Sequence, residues 1–430
     1  MRISSDSPLG VMPSQAYTNR SAGSIGLLLT GGGARAAYQA GVLQAIADLR
    51  LAAGNHASAS PFAIVTGTSA GAINAAAIAS YADDFQHAVE VLADVWAHIQ
   101  PQQVYRSAAL PADARGWRML LGLARLLGRW RRQQPRSLLD NAPLAALLQR
   151  VVPLHRVPML MATGHLQALA VSASNYSSGE RYTFYQSAQR VAPWLRSQRI
   201  AVPGTITHAH LLASSAIPFV FPASDIAMPD GHAGYFGDGS MRQAAPLSAA
   251  LHLGAERILA IGAGRLQEPQ GAQAPNMLTG YPSLAQIAGH AMSSIFLDTL
   301  AADVERMRHV NQTLASLPPA ARANTGLRPV ELLVIAPSER IDVIASRHAA
   351  ALPAGLRSMM GCPRGSSERE TAQASALASY LLFDSGFTQE LMALGHADAM
   401  RQRDELLVFF GWEPAAIPSK TGRIHAAYAV

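Results

Sequence analysis

Ser69 stands in Gly67-Thr-Ser69-Ala-Gly71, where an apolar run gives way to an alanine-rich one. A serine hydroxyl becomes a nucleophile only when a base takes its proton. The G-x-S-x-G pattern carries that chemistry when a sharp strand-to-helix turn lifts the serine out of the backbone. Small residues on either side let such a turn form, and a helix N-terminus beside it favours developing negative charge. The bland reading of the same residues is an ordinary strand-to-helix turn. A second stretch, Thr30-Gly31-Gly32-Gly33-Ala34-Arg35, could aim backbone N–H groups into a concavity, either as a phosphate cradle or as an oxyanion hole for Ser69. It lacks the Gly-Lys-Ser/Thr ending of a P-loop and the G-x-G-x-x-G spacing of dinucleotide binders, so nucleotide binding is disfavoured. Asp238, in Gly237-Asp238-Gly239-Ser240, is by itself a turn or capping residue, and Ala213-Ser-Ser-Ala-Ile-Pro218-Phe219 reads as a small-residue helix end halted by proline.

The elements around these stretches have the character needed to position them. IGLLLT (25–30) and FAIVTG (62–67) are short apolar strand candidates, each followed by a glycine turn and then by helical spacing: ARAAYQAGVLQAIADLR after the first, and residues 70 to about 81 after the second. Further strands are expected at 166–175, 180–186, 234–239, 257–264 and 331–338, and helices over FQHAVEVLADVWAHI, 282–316 and 367–408. Apolar strands alternating with helices argue for a parallel sheet covered on both faces.

Composition narrows the class. Hydrophobic residues make up 49% of the 430 and charged residues 14%, which excludes a disordered or coiled-coil chain. The formal net charge is +6 with a pI near 9.7, but Lys420 is the only lysine, and an arginine bias of that kind is a weak clue to partners. Cys362 is the single cysteine, so an intrachain disulfide and a cysteine-based zinc site are both excluded. Residues 1–23 read as a flexible arm of Ser, Pro and Gly. With neither a secretory core there nor an apolar run of about 18 residues elsewhere, a cytoplasmic protein is the expectation, non-Sec secretion aside.

Taken together, TGGGARAAYQAGVL, GTSAGAINA, ASSAIPFVFP and DGSMRQAAPL, in that order over roughly residues 24 to 265, resemble the patatin-like phospholipase family. The resemblance implies a three-layer α/β/α fold with a mostly parallel central sheet, and a Ser-Asp dyad in place of a triad. Carried over, Ser69 is the nucleophile, Asp238 its general base, and the N–H groups of Gly31, Gly32 and Gly33 form the oxyanion hole. Gly67, Gly71 and Gly239 are supporting turn residues, and Arg35 either braces the glycine loop or meets a substrate phosphate. No metal or cofactor is required. Ala36 stands where the family often has glycine, and DGS replaces the commoner DGG or DGA; neither departure removes a reacting group. The implied activity is hydrolysis of fatty-acyl esters of phospholipids or lysophospholipids. A general carboxylesterase or neutral-lipid lipase is the alternative within enzymes, and a catalytically silent lipid-binding or scaffolding protein the alternative outside them. The catalytic domain is expected at 24–265. A mainly helical extension at 266–410, with one further strand, is expected to pack on the core, followed by a tail at 411–430.

Between 114 and 136, Arg115, Arg118, Arg125, Arg129, Arg132 and Arg136 recur at three- and four-residue steps, with only Gly122 interrupting the series, and Leu120, Leu123, Leu127 and Trp130 share the rhythm on another face. A basic amphipathic helix of this kind can lie on an anionic membrane, or simply pack its leucines on the core with its arginines solvated. Nucleic-acid binding is not expected, because no aromatic-interleaved basic platform accompanies it. A conventional triad would need a late histidine, and His290, His396 and His425 qualify by position only.

Overall fold

The computed structural model describes residues 23–107, 137–196, 198–228, 231–265, 284–359 and 376–412. The arginine-rich stretch, the N-terminal arm and His425 therefore lie outside the described residues. Twelve strands occur among the described residues: β1 (Ile25–Leu29), β2 (Ile64–Thr68), β3 (Arg106–Ser107), β4 (Leu139–Asp140), β5 (Ala168–Asn175), β6 (Arg181–Ser187), β7 (Leu195–Arg196), β8 (Arg199–Pro203), β9 (Ser224–Ala227), β10 (Ala233–Asp238), β11 (Arg257–Ile261) and β12 (Glu331–Ile335). Ten of them form one sheet, ordered β12-β11-β1-β2-β5-β6-β8-β7, with β10 pairing β5 and β9 pairing β10; β3 and β4 form a separate pair. The run β12-β11-β1-β2-β5 is parallel throughout, and antiparallel pairing starts at β5–β6.

The three layers follow from the alternation of side chains along each strand. In β1, Leu27 and Leu29 join one hydrophobic cluster while Leu28 joins another on the opposite face; in β11, Leu259 and Ile261 divide from Ile258 and Ala260 in the same way. The larger cluster is covered by α1 (Ala37–Ala52), α2 (Ala70–Ser80), α3 (Phe85–Ala97) and α4 (Ala142–Val151), and a shorter helix, α5 (His208–Ser214), joins it. The smaller one is covered by α6 (Ser248–Leu253) and by Leu300 and Val304 of α7 (Leu284–Ser316). Beyond β12, α8 (Ser385–Arg401) packs on α1 and is followed by α9 (Arg403–Phe410). The fold is thus a three-layer α/β/α sandwich whose mostly parallel sheet matches the expected class.

The differences from the sequence reading have local causes. The single helix expected over 367–408 is interrupted at 382–384, where the Asp384 side chain accepts from the Gly386 N–H and caps α8 afresh. Strands β7 and β9 escaped detection because each is short and offers no apolar alternation, and β8 buries only its central Ala201. Among the described residues, no helix is long and apolar enough to cross a membrane.

Candidate functional site

Strand β5 is the template that brings the site together. Along one edge it pairs with β2 up to Thr68↔Ser172, where the chain turns away into α2. Antiparallel β10 then takes over the same edge, starting with Asp238↔Ala173. The last residue of β2 and the last residue of β10 thus face adjacent positions of β5, which puts Ser69 beside Asp238 although 169 residues separate them. The Ser69 hydroxyl donates to Asp238 Oδ2 at 2.5 Å.

Ser69 holds the backbone of a sharp elbow, with φ 58° and ψ −134°. A non-glycine residue in such a conformation costs on the order of 1–3 kcal/mol and persists only where its surroundings fix it. Here the fixing group is Ser214, at the end of α5: its hydroxyl accepts the Ser69 N–H at 2.8 Å and donates to the Ser172 carbonyl at 2.6 Å. Gly67 and Gly71 are required by close approach. A Cβ on Gly67 would strike the Gly71 carbonyl, and one on Gly71 the carbonyls of Leu29 and Thr30. That second contact seats the glycine loop directly against the serine turn.

Asp238 is fully buried, and its backbone N–H donates to Ala216 O at 3.0 Å. Its Oδ1 accepts the Ser240 N–H at 2.8 Å, while a Cβ on Gly239 would strike the Ser172 carbonyl. Burial pushes the carboxyl up to about 6, against the opposing pull of hydrogen bonds from Ser69 and Ser240.

Gly31, Gly32 and Gly33 form the buried loop after β1, and Gly33, at φ 55°, borders the same cavity as Ser69. The loop is held from below: Gln39 Nε2 donates to Thr30 O at 2.8 Å, Asn74 Nδ2 donates to Gln39 Oε1 at 2.9 Å, and Trp96 Nε1 donates to Asn74 Oδ1 at 2.9 Å. Arg35 braces the loop from above. Its Nε donates to Ser379 Oγ at 2.7 Å, Nη2 donates to the Ala376 carbonyl at 3.3 Å, and its guanidinium lies 4.2 Å from the Tyr380 ring centroid. Arg35 is only 4% exposed, and its described contacts run to Ser379, Ala376 and Tyr380.

From Ser69 a narrow cavity runs between α2, α3 and α4. Its lining is almost wholly apolar, with Ile73, Leu92, Leu147 and Phe383 among its walls. His396 pairs with Asp48 Oδ2 at 3.0 Å, and no histidine among the described residues is hydrogen-bonded to Ser69 or Asp238. His290 lies in α7, in a part whose side chains are outside the described structure. Nor, among the described residues, does any cluster of His, Cys, Asp and Glu offer a metal site. The sequence reading gave no role to Ser214, Gln39, Asn74 or Trp96. Ser214, Gln39 and Asn74 lie inside the stretches quoted above, but what each one does there depends on contacts that only the folded chain makes.

Sheet, serine elbow and apolar cavity together define an α/β protein built around a buried serine–aspartate pair. The sequence profile of the patatin-like phospholipase family matches residues 27–251, more than half of the chain. The chain belongs to that family, whose general activity is lipid acyl hydrolysis. Among solved structures it is similar to the crystal structure of VipD from Legionella pneumophila, at 12% identity and a TM-score of 0.26, covering 86% of this chain and 67% of that one. No curated protein sequence matches it.

Proposed function

We propose that the protein hydrolyses fatty-acyl esters of phospholipids or lysophospholipids through a Ser69–Asp238 dyad and an acyl-enzyme intermediate. The observation that carries this reading is the 2.5 Å hydrogen bond from Ser69 Oγ to Asp238 Oδ2 at the head of an apolar cavity. In this mechanism the acyl chain lies in the cavity and the ester carbonyl meets Ser69 Oγ. Asp238 takes the serine proton as the C–O bond forms. Negative charge on the carbonyl oxygen is met by N–H groups of the Gly31–Gly33 loop. Collapse expels the alcohol, which receives the proton from Asp238. Water, deprotonated by Asp238, then attacks the acyl-enzyme and releases the fatty acid and Ser69. Burial suits the base to this task, since a carboxyl held near 6 is ionised at neutral pH yet more basic than an exposed aspartate.

The test is acid release from phospholipid, lysophospholipid, triglyceride and a short p-nitrophenyl ester, by wild type beside Ser69→Ala and Asp238→Asn. Release from the first two, lost in both variants, supports the proposal. Preference for triglyceride or the short ester would shift the reading to a lipase or carboxylesterase with the same dyad. Release from none, or an unimpaired variant, would sink it.

A further inference from the structure

The match to the family profile ends at residue 251, yet a segment far beyond it, residues 376–383, presses on the glycine loop. Ser379, Tyr380 and Leu382 of this segment are fully buried. Arg35 meets it from the loop's side. The Arg35 backbone N–H closes the glycine turn by donating to Gly32 O at 3.1 Å, and its side chain ends in a closed set of neutral partners. Nε donates to Ser379 Oγ at 2.7 Å and Nη2 to the Ala376 carbonyl at 3.3 Å, while Ser379 Oγ itself donates to that carbonyl at 2.6 Å. The next residue touches the loop directly, since a Cβ on Gly33 would strike the Tyr380 carbonyl. The segment also reaches the side chains that hold the loop from below: Phe383 stacks on Trp96, ring centroids 6.3 Å apart, and Trp96 begins the chain through Asn74 and Gln39 to Thr30. Its own seat is fixed by Tyr105 Oη, which donates to Leu381 O at 3.0 Å, and by Thr388 Oγ1 of α8, which donates to Trp96 O at 2.6 Å.

We propose that residues 376–383 are a positioning element for the glycine loop, and that Ser379 is the positioning residue that fixes Arg35 so the Gly31–Gly33 N–H groups face the oxygen on which negative charge develops. A run of three glycines has little side-chain packing of its own to hold one shape, so its shape is imposed from outside. Every described hydrogen bond of the Arg35 side chain runs to this segment, and all of them are sheltered from bulk water. Removing the Ser379 hydroxyl therefore leaves Arg35 Nε without its acceptor in a buried site, where the loss is not made good by solvent. Donors of an oxyanion hole act only while they stay in place, and a misplacement of about 1 Å costs on the order of a hundredfold in rate. The proposal rests on the lipid-hydrolase reading above, and its test separates the two.

The full chain is compared with Ser379→Ala and with Ser379→Thr, which keeps a hydroxyl, on a soluble p-nitrophenyl ester and on a trifluoromethyl ketone carrying the same acyl chain. The ketone reads the loop directly. Ser69 Oγ bonds to its carbonyl carbon, the C=O electron pair moves onto oxygen, and Asp238 takes the serine proton, with no leaving group to expel. Ser379→Ala should lower kcat/KM about tenfold or more and raise the ketone's inhibition constant by the same factor, and Ser379→Thr should return both to within about threefold of wild type. A substitution that merely unfolds part of the preparation lowers the rate but leaves the inhibition constant where it was. Should Ser379→Ala fail to fold, Arg35→Lys tests the contact from the other end, because an ammonium cannot hold the Ser379 hydroxyl and the Ala376 carbonyl as a planar fork does, and the same parallel loss is expected. An active wild type whose variants keep their inhibition constants overturns the proposal and leaves the hydrolase reading standing. A wild type inert towards every ester overturns both.

Discussion

Asp238→Asn should abolish turnover and at the same time relieve the native state of a burden that grows with pH. In the folded protein the carboxyl is fully buried and titrates at about 6, against 3.8 for the free group. The sign follows from which state holds the proton more tightly. Between those two values the native state keeps it while the unfolded chain has released it. The group's stabilising contribution is therefore complete below about pH 3.8 and lost as pH rises through about 6. A gap of roughly two units at about 1.4 kcal/mol each makes the loss about 3 kcal/mol. Asparagine carries no such term, and its amide fits the same two partners. Oδ1 can accept from Ser240 N and Nδ2 can donate to Ser69 Oγ. The variant should therefore gain about 2.5 kcal/mol of that relative to wild type between about pH 4 and about pH 8.

Urea unfolding of both proteins at the two pH values measures this as a difference of differences, so groups common to both cancel. Hydrolysis by the variant should fall by about a thousandfold or more at either pH. A stability difference constant within about 1 kcal/mol from pH 4 to 8 would refute the reasoning. A variant that loses stability as pH rises would refute it more strongly, because the native site would then favour the carboxylate beyond the cost of burying it.

Three other outcomes are expected. The kcat/KM for a soluble ester should rise with pH through about 6 as the free enzyme's Asp238 ionises; a pH-independent profile across that range would remove Asp238 as the base. Gly33→Ala should cost on the order of 1–3 kcal/mol in urea unfolding and at least tenfold in turnover, because φ is 55° there and a Cβ would meet the Tyr380 carbonyl. Trp96→Phe keeps a ring in the cavity wall but leaves Asn74 Oδ1 without its donor. It should destabilise by about 1–3 kcal/mol and slow turnover by loosening the chain that supports Thr30, whereas unchanged stability would show that this chain carries little.

The part of this site written in the sequence is the part that local geometry dictates. Gly67 and Gly71 have to be glycine because the elbow presses its own carbonyls and those of the preceding loop against them, so their spacing around Ser69 is visible within five residues. The alternate faces of β1 and the helical rhythm after it are legible for the same reason, since each reflects a period of its own segment. The serine's hydrogen-bond partner is not local. Asp238 reaches Ser69 because β10 runs antiparallel into the edge of β5 that β2 vacates, and nothing within the Gly237–Ser240 turn encodes that register. Arg35 shows the same limit more sharply. Read by itself, it could brace a loop or bind a phosphate, and its partner Ser379 lies 344 residues away in sequence. Residue types and spacing therefore point to candidate groups; the long-range pairings show which of them meet, as Ser69 meets Asp238 and Arg35 meets Ser379.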